Sequence, residues 1–131
     1  MKYLLLSLTL VLTACSNGAR LGSGDIADAI TTVEVIRNPN FTEIGTAPDQ
    51  LGPIGGAVGL LAQKYVAKAL LIEAGVPVDT ANRSIDTIGW YWACQNLALF
   101  AGVEPVSRAV VGVTCAFVYW KETEDGEEAN D

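Results

Sequence analysis

Thr87-Ile88-Gly89-Trp90-Tyr91-Trp92-Ala93-Cys94-Gln95-Asn96-Leu97-Ala98-Leu99-Phe100-Ala101-Gly102-Val103 runs for 17 residues without a charge. Glu104-Pro105 follows, and a second uncharged run extends from Ala109 to Trp120. Gly102 to Pro105 reads as a compact break, with Pro105 suited to the first turn of a new helix. The expectation is two helices, 80–101 and 105–121, folded back as a hairpin. With the midpoint between Glu104 and Pro105, Trp90 lies level with Tyr119 and Cys94 with Cys115. Trp90, Tyr91 and Trp92 then meet Tyr119 and Trp120 at one end, beside Lys121, while Glu104 and Arg108 mark the other. Aromatic rings and Lys at one level are what a membrane interface favours. Seventeen residues rise about 25 Å, short of a hydrocarbon core of roughly 30 Å, a mismatch that bilayer thinning or snorkelling can cover. The alternative is a very hydrophobic soluble hairpin inside a small helical bundle.

Working toward the N-terminus, a helix is expected at 50–74. Asp49 is a candidate cap, Pro53 is tolerated only in the first turn, and Gly75 with Pro77 stops it. Leu51 to Ala62 carries no charge. Gly55 and Gly59 stand four apart, a spacing that permits close helix contact in lipid. Lys64 and Lys68 share one stripe, expected at an interface with their stems buried. Asp79 or Thr80 is expected to cap the helix that follows. Before these, 25–37 reads as a short helix, because Ile26, Ala29, Ile30, Val33 and Ile36 recur near the helical period. Asn38-Pro39-Asn40 ends it.

The front of the chain gives an address. Lys2, an apolar run from Tyr3 to Val11 and a small-residue zone form a secretory signal. Leu12-Thr13-Ala14-Cys15 resembles the lipobox of bacterial prolipoproteins. The resemblance implies cleavage of residues 1–14 and lipidation of Cys15, with palmitate-type acyl chains fixing the protein to membrane lipid. Ser16 is not the Asp that such proteins use for inner-membrane retention. Residues 15–24, rich in Ser, Gly and Asn, read as a flexible tether, and 122–131 as an acidic, disordered tail.

The 131-residue chain has a formal charge of −7, and loss of Lys2 makes it −8. Nucleic acid is excluded as a partner, since that needs a basic surface. There is no His, so the commonest general base and metal ligand is missing. Gly52-Pro53-Ile54-Gly55-Gly56 lacks the Lys and Ser/Thr of a phosphate-binding loop. No enzyme and no cofactor is expected. Cys94 and Cys115 come level in the hairpin, so a disulfide is open to them, but buried free Cys also behaves as a small hydrophobe. Asp25, Asp28, Thr31 and Thr32 form a polar group on the first helix. Such acids ordinarily favour a helix N-terminus, and become functional candidates if the helix sits in lipid. Gln95 and Asn96 read as hydrogen-bonding glue between helices.

Asp28-Ala29-Ile30-Thr31-Thr32, then Asn38-Pro39 and Phe41-Thr42-Glu43, resembles a group of small, uncharacterised bacterial membrane proteins. In these an Asp-x-x-Thr helix is followed by an acid-containing Asn-Pro turn and further hydrophobic helices. The resemblance implies a multi-helix membrane protein over residues 25–75 and no known activity. The expectation is therefore an all-α bundle of about four helices over 25–121 with a membrane-associated C-terminal hairpin. Its role is a non-enzymatic envelope component that binds another membrane protein or modifies membrane organisation. Two alternatives are a transporter-accessory or channel-like bundle using Asp28, Lys64 or Lys68, and a soluble binding domain tethered by lipid. The outer membrane is expected if the hairpin does not span, the inner membrane if it does.

Overall fold

The computed structural model describes residues 17–38, 40 and 48–128. Residues 1–16, where the signal segment and Cys15 are expected, and residues 39, 41–47 and 129–131 lie outside them. Four helices are described: α1 (Ser23–Arg37), α2 (Pro48–Glu73), α3 (Val78–Phe100) and α4 (Pro105–Glu128). Helices α1 and α3 run parallel, since Arg20 faces Asn82, Asp25 faces Asp86 and Thr31 faces Asn96. Helices α2 and α4 run the other way, as Asp25–Lys68 and Asp28–Lys64 show for one and Asp86–Tyr119 and Cys94–Cys115 for the other.

The boundaries follow local chemistry. Asn38 is extended, with φ −92° and ψ 113°, as expected of a residue ahead of a proline. Gly52 has φ 72° and ψ 176° and interrupts α2. The uninterrupted helix therefore begins at Pro53, whose missing N–H costs nothing in a first turn, rather than after a cap at Asp49. Helices α2 and α3 end alike. Gly75 and Gly102 have φ 92° and 76°, Val76 N–H reaches Leu71 O and Val103 N–H reaches Ala98 O, both at 3.0 Å. These paired bonds satisfy the terminal carbonyls through a left-handed glycine. Helix α3 starts at Val78, after Pro77, so Asp79 lies in its first turn rather than capping it.

Two segments differ from the sequence expectation. Residues 122–128 are helical rather than a disordered tail. Lys121 pairs with Glu124 at 2.8 Å one turn on, the Thr123 hydroxyl donates to Tyr119 O, and Glu is a good helix former. The expected tether is docked over 17–22. Asn17 donates to Ala69 O at 3.1 Å, and the Asn82 amide donates to Gly18 O and accepts from Arg20 N–H, both at 3.0 Å. Two groups of one buried side chain thus hold this segment.

The interior is the reverse of the usual one. Its buried apolar residues are small: Ala29, Ala69, Ala81, Ala93, Ala98, Cys94 and Val35. Its buried polar residues are Asp25, Asp28, Thr31, Thr32, Lys64, Lys68, Asn82 and Asp86. Many large apolar side chains are exposed, Val106 by 75%, Phe117 by 62% and Ile30 by 61%, and others are half-buried. Of the apolar residues whose period marks α1, Ile26 and Ile30 face out, while Ala29 and the Asp25, Asp28, Thr31 and Thr32 stripe face in. Among the described residues no helix is long and apolar enough to cross a membrane.

Candidate functional site: a buried charge cluster beside a polar cavity

Close backbone approach builds the site. A Cβ on Gly24 would overlap the Asp86 carbonyl, and one on Gly89 would overlap the Gly24 backbone. Only glycine lets α1 and α3 meet this closely. The contact brings the Asp86 carboxylate onto the N-terminus of α1, where its Oδ1 accepts from Asp25 N–H at 2.9 Å. A carboxylate there satisfies an orphan donor and opposes the helix dipole. The other Asp86 oxygen accepts from the Tyr119 hydroxyl of α4.

Helix α2 supplies the cations. Lys64 Nζ lies 2.5 Å from Asp28 Oδ2 and 3.9 Å from Asp25 Oδ1. Lys68 Nζ donates to Asp25 Oδ2 and, at 2.8 Å, to Arg20 O. Asp25 Oδ2 also accepts from Gly22 N–H at 3.0 Å, while Oδ1 has no hydrogen-bond donor. Lys68 and Asp25 are both fully buried. Removing an ion from water costs several kcal/mol, while a contact at 4 Å returns about 4 kcal/mol at an effective dielectric near 20. The cluster therefore adds little net stability. It fixes the register, because sliding α2 by one residue would leave four charges buried without partners.

These positions correct the sequence expectations. Lys64 and Lys68 lie inside the bundle rather than at an interface. Asp25 helps its own helix start, but Asp25 and Asp28 are also ion-pair partners in the interior. Asn96 Nδ2 donates to Thr31 Oγ1 at 3.1 Å, joining α3 to α1 as expected of glue, and Gln95 lies against Gly112. Gly55 and Gly59 stay partly exposed. Close contacts between helices are made at Gly24, Gly89 and Gly112.

The hairpin register is as counted. Cys94 and Cys115 form a disulfide with a Cα–Cα separation of 6.5 Å. Trp90 and Tyr119 have ring centroids 6.2 Å apart, and Trp90 Nε1 donates to Ser23 Oγ at 3.2 Å. Trp120 lies beneath the Arg83 guanidinium, 4.4 Å from its ring centroid. Trp92 is partly exposed and meets Tyr91 edge-on.

Beside the cluster, at the Tyr119 end of the bundle, a cavity of about 300 Å³ opens between α1, α3 and α4, with Lys68 and Asp86 in its wall. Asn82, Asp86 and the Arg20–Arg83 end of the site carry no motif in the sequence. The signal available was the stripe Asn82, Asp86, Gly89, Ala93, polar or small residues at helical spacing on a helix whose other faces are bulky. No family model, curated protein or solved structure matches the chain.

Proposed function

We propose that the chain is a lipid-anchored, non-enzymatic component of the bacterial envelope. Its bundle sits in, or pressed against, the bilayer, where it binds another membrane protein or modifies membrane organisation. The observation that carries this is the reversed distribution of polarity. Water outside would reward burying Ile, Phe and Val and would charge heavily for burying Asp and Lys. A hydrocarbon surround rewards the opposite arrangement, and ionisable groups within it turn toward one another. Whole-helix hydropathy counts Asp25, Asp28, Lys64, Lys68 and Asp86 as if they faced outward, whereas all five are buried. Two further observations support the reading. Charged residues collect toward the bundle's two ends, Arg20, Glu73, Asp79 and Lys121 at one and Glu34, Arg37, Glu104 and Arg108 at the other. The Cys94–Cys115 bond suits an oxidising compartment.

The test is fractionation of wild type beside Cys15→Ser in a background with an otherwise cleavable signal, with intact mass on both. A lipid-sized increment on wild type and a variant that resists carbonate extraction are expected. A variant released to the aqueous phase would replace this reading with a tethered soluble domain. The outer membrane fits a bundle that does not span, and the inner membrane one that does.

A second reading, a channel-like or transporter-accessory bundle, is favoured by the convergence of Asp28, Lys64 and Lys68 with Asp25. It requires ion or proton flux into proteoliposomes that Lys64→Met abolishes.

A further inference from the structure

The cavity at the Tyr119 end presents both signs of charge, and neither sign dominates. Arg20 and Arg83 line it, as do Asp79 and Asp86. Lys68 also reaches it, but its charge is matched by Asp25 behind the wall. A near-neutral lining of two signs disfavours a dianion and suits a ligand that itself carries one charge of each sign.

The groups are held in place before any ligand arrives. Arg20 has its N–H on Asn82 and its carbonyl under Lys68, so its backbone is fixed while its side chain remains 72% exposed. Its guanidinium faces Asp79 at 3.5 Å across the rim, both groups keeping hydrogen-bonding capacity. The Arg83 guanidinium carbon lies over the Trp120 ring, 4.4 Å from its centroid. Asp86 is already engaged by Tyr119 and Asp25 N–H, which leaves Asp79 as the carboxylate for an incoming ammonium. Two guanidinium forks match the several oxygens of a phosphate better than a carboxylate needs.

We propose that this cavity binds an aminoethyl phosphodiester, with Arg20 and Arg83 on the phosphate and Asp79 on the ammonium. The same chemistry occurs in a water-soluble glycerophosphoethanolamine and in a phosphatidylethanolamine headgroup. Trp90, Tyr119 and Trp120 at this level are compatible with the lipid source. The proposal goes beyond the bilayer reading and does not depend on it.

The test uses the full mature chain in maltoside detergent. Glycerophosphoethanolamine is titrated by calorimetry, with glycerophosphocholine and glycerophosphoglycerol as comparators. In parallel, phosphatidylethanolamine is diluted into digalactosyl diacylglycerol vesicles. Saturable binding is expected, weaker by about ten-fold or more in Arg83→Gln and in Arg20→Gln. Arg37→Gln, at the opposite end, should bind as wild type. Asp79→Asn, on an exposed rim where folding is not at stake, should erase the preference for ethanolamine over choline, whose methylated nitrogen has no N–H to donate. Binding of the soluble diester assigns a free ligand, and binding confined to vesicles assigns a headgroup. No saturable binding of either probe, or binding indifferent to both arginines, overturns the proposal. Vesicle retention without arginine dependence refutes the cavity and leaves the bilayer reading standing. Arginine-dependent binding of the soluble diester by a protein that vesicles do not retain does the reverse.

Discussion

The α1–α2 contact and the α3–α4 hairpin are held by opposite means. The first is a lattice of charges, Asp25 and Asp28 against Lys64 and Lys68, with Ala69 among the few buried apolar residues on the α2 side. The second is a covalent bond, a tilted contact between the Trp90 and Tyr119 rings and a glycine, Gly112, that lets Tyr91 and Gln95 lie against the α4 backbone. Its joint is tolerant, because Val and Phe side chains around it can repack at modest cost. The charge lattice is not, because each ion has one acceptable position. One half of the molecule is thus built for register and the other for cohesion.

Breaking the lattice should cost most. Lys68→Met leaves Asp25 buried without its main partner, and unfolding in detergent should show a loss of about 3–5 kcal/mol. Adding Asp25→Asn should restore a large share, and a double variant as unstable as the single one would end the register argument. Opening the disulfide by Cys94→Ala with Cys115→Ala should cost about 2–4 kcal/mol through the unfolded chain, with helicity retained by circular dichroism. Gly89→Ala should cost about 1–3 kcal/mol by forcing α1 away from α3. Trp90 fluorescence should shift at the same time, since Ser23 would move with α1. The smallest effect belongs to the helix end. Lys121 donates to Glu124 and its charge stands beside it, holding that carboxyl below its ordinary range. The pair's contribution is present above the ordinary carboxylate pKa and fades as pH falls through the lowered one. Lys121→Ala should return the Glu124 titration upward by NMR without a measurable change in melting temperature.

The sequence told where the helices lie far better than which way they face. Glycine and proline at 75, 77, 102 and 105 act locally, so the breaks were legible. The hairpin register followed from one turn, which is why Cys94 and Cys115 could be paired by counting. The facing of α1 was not legible. Ile26 and Ile30 mark an inner stripe only if water is the solvent, and the same period supports the opposite side in lipid. Asp86 was invisible for a different reason. A lone acid on an uncharged helix names no partner, and its role depends on Gly24 and Gly89 meeting across 65 residues of chain.

Asn17 is tied to the carbonyl of Ala69. On the lipid-anchored reading, only Ser16 separates it from the acylated Cys15, a reach of about 7 Å. Such an anchor is a short leash. The acyl chains would enter the leaflet at the rim of the bundle, and no sorting factor could lift them out without lifting four helices as well.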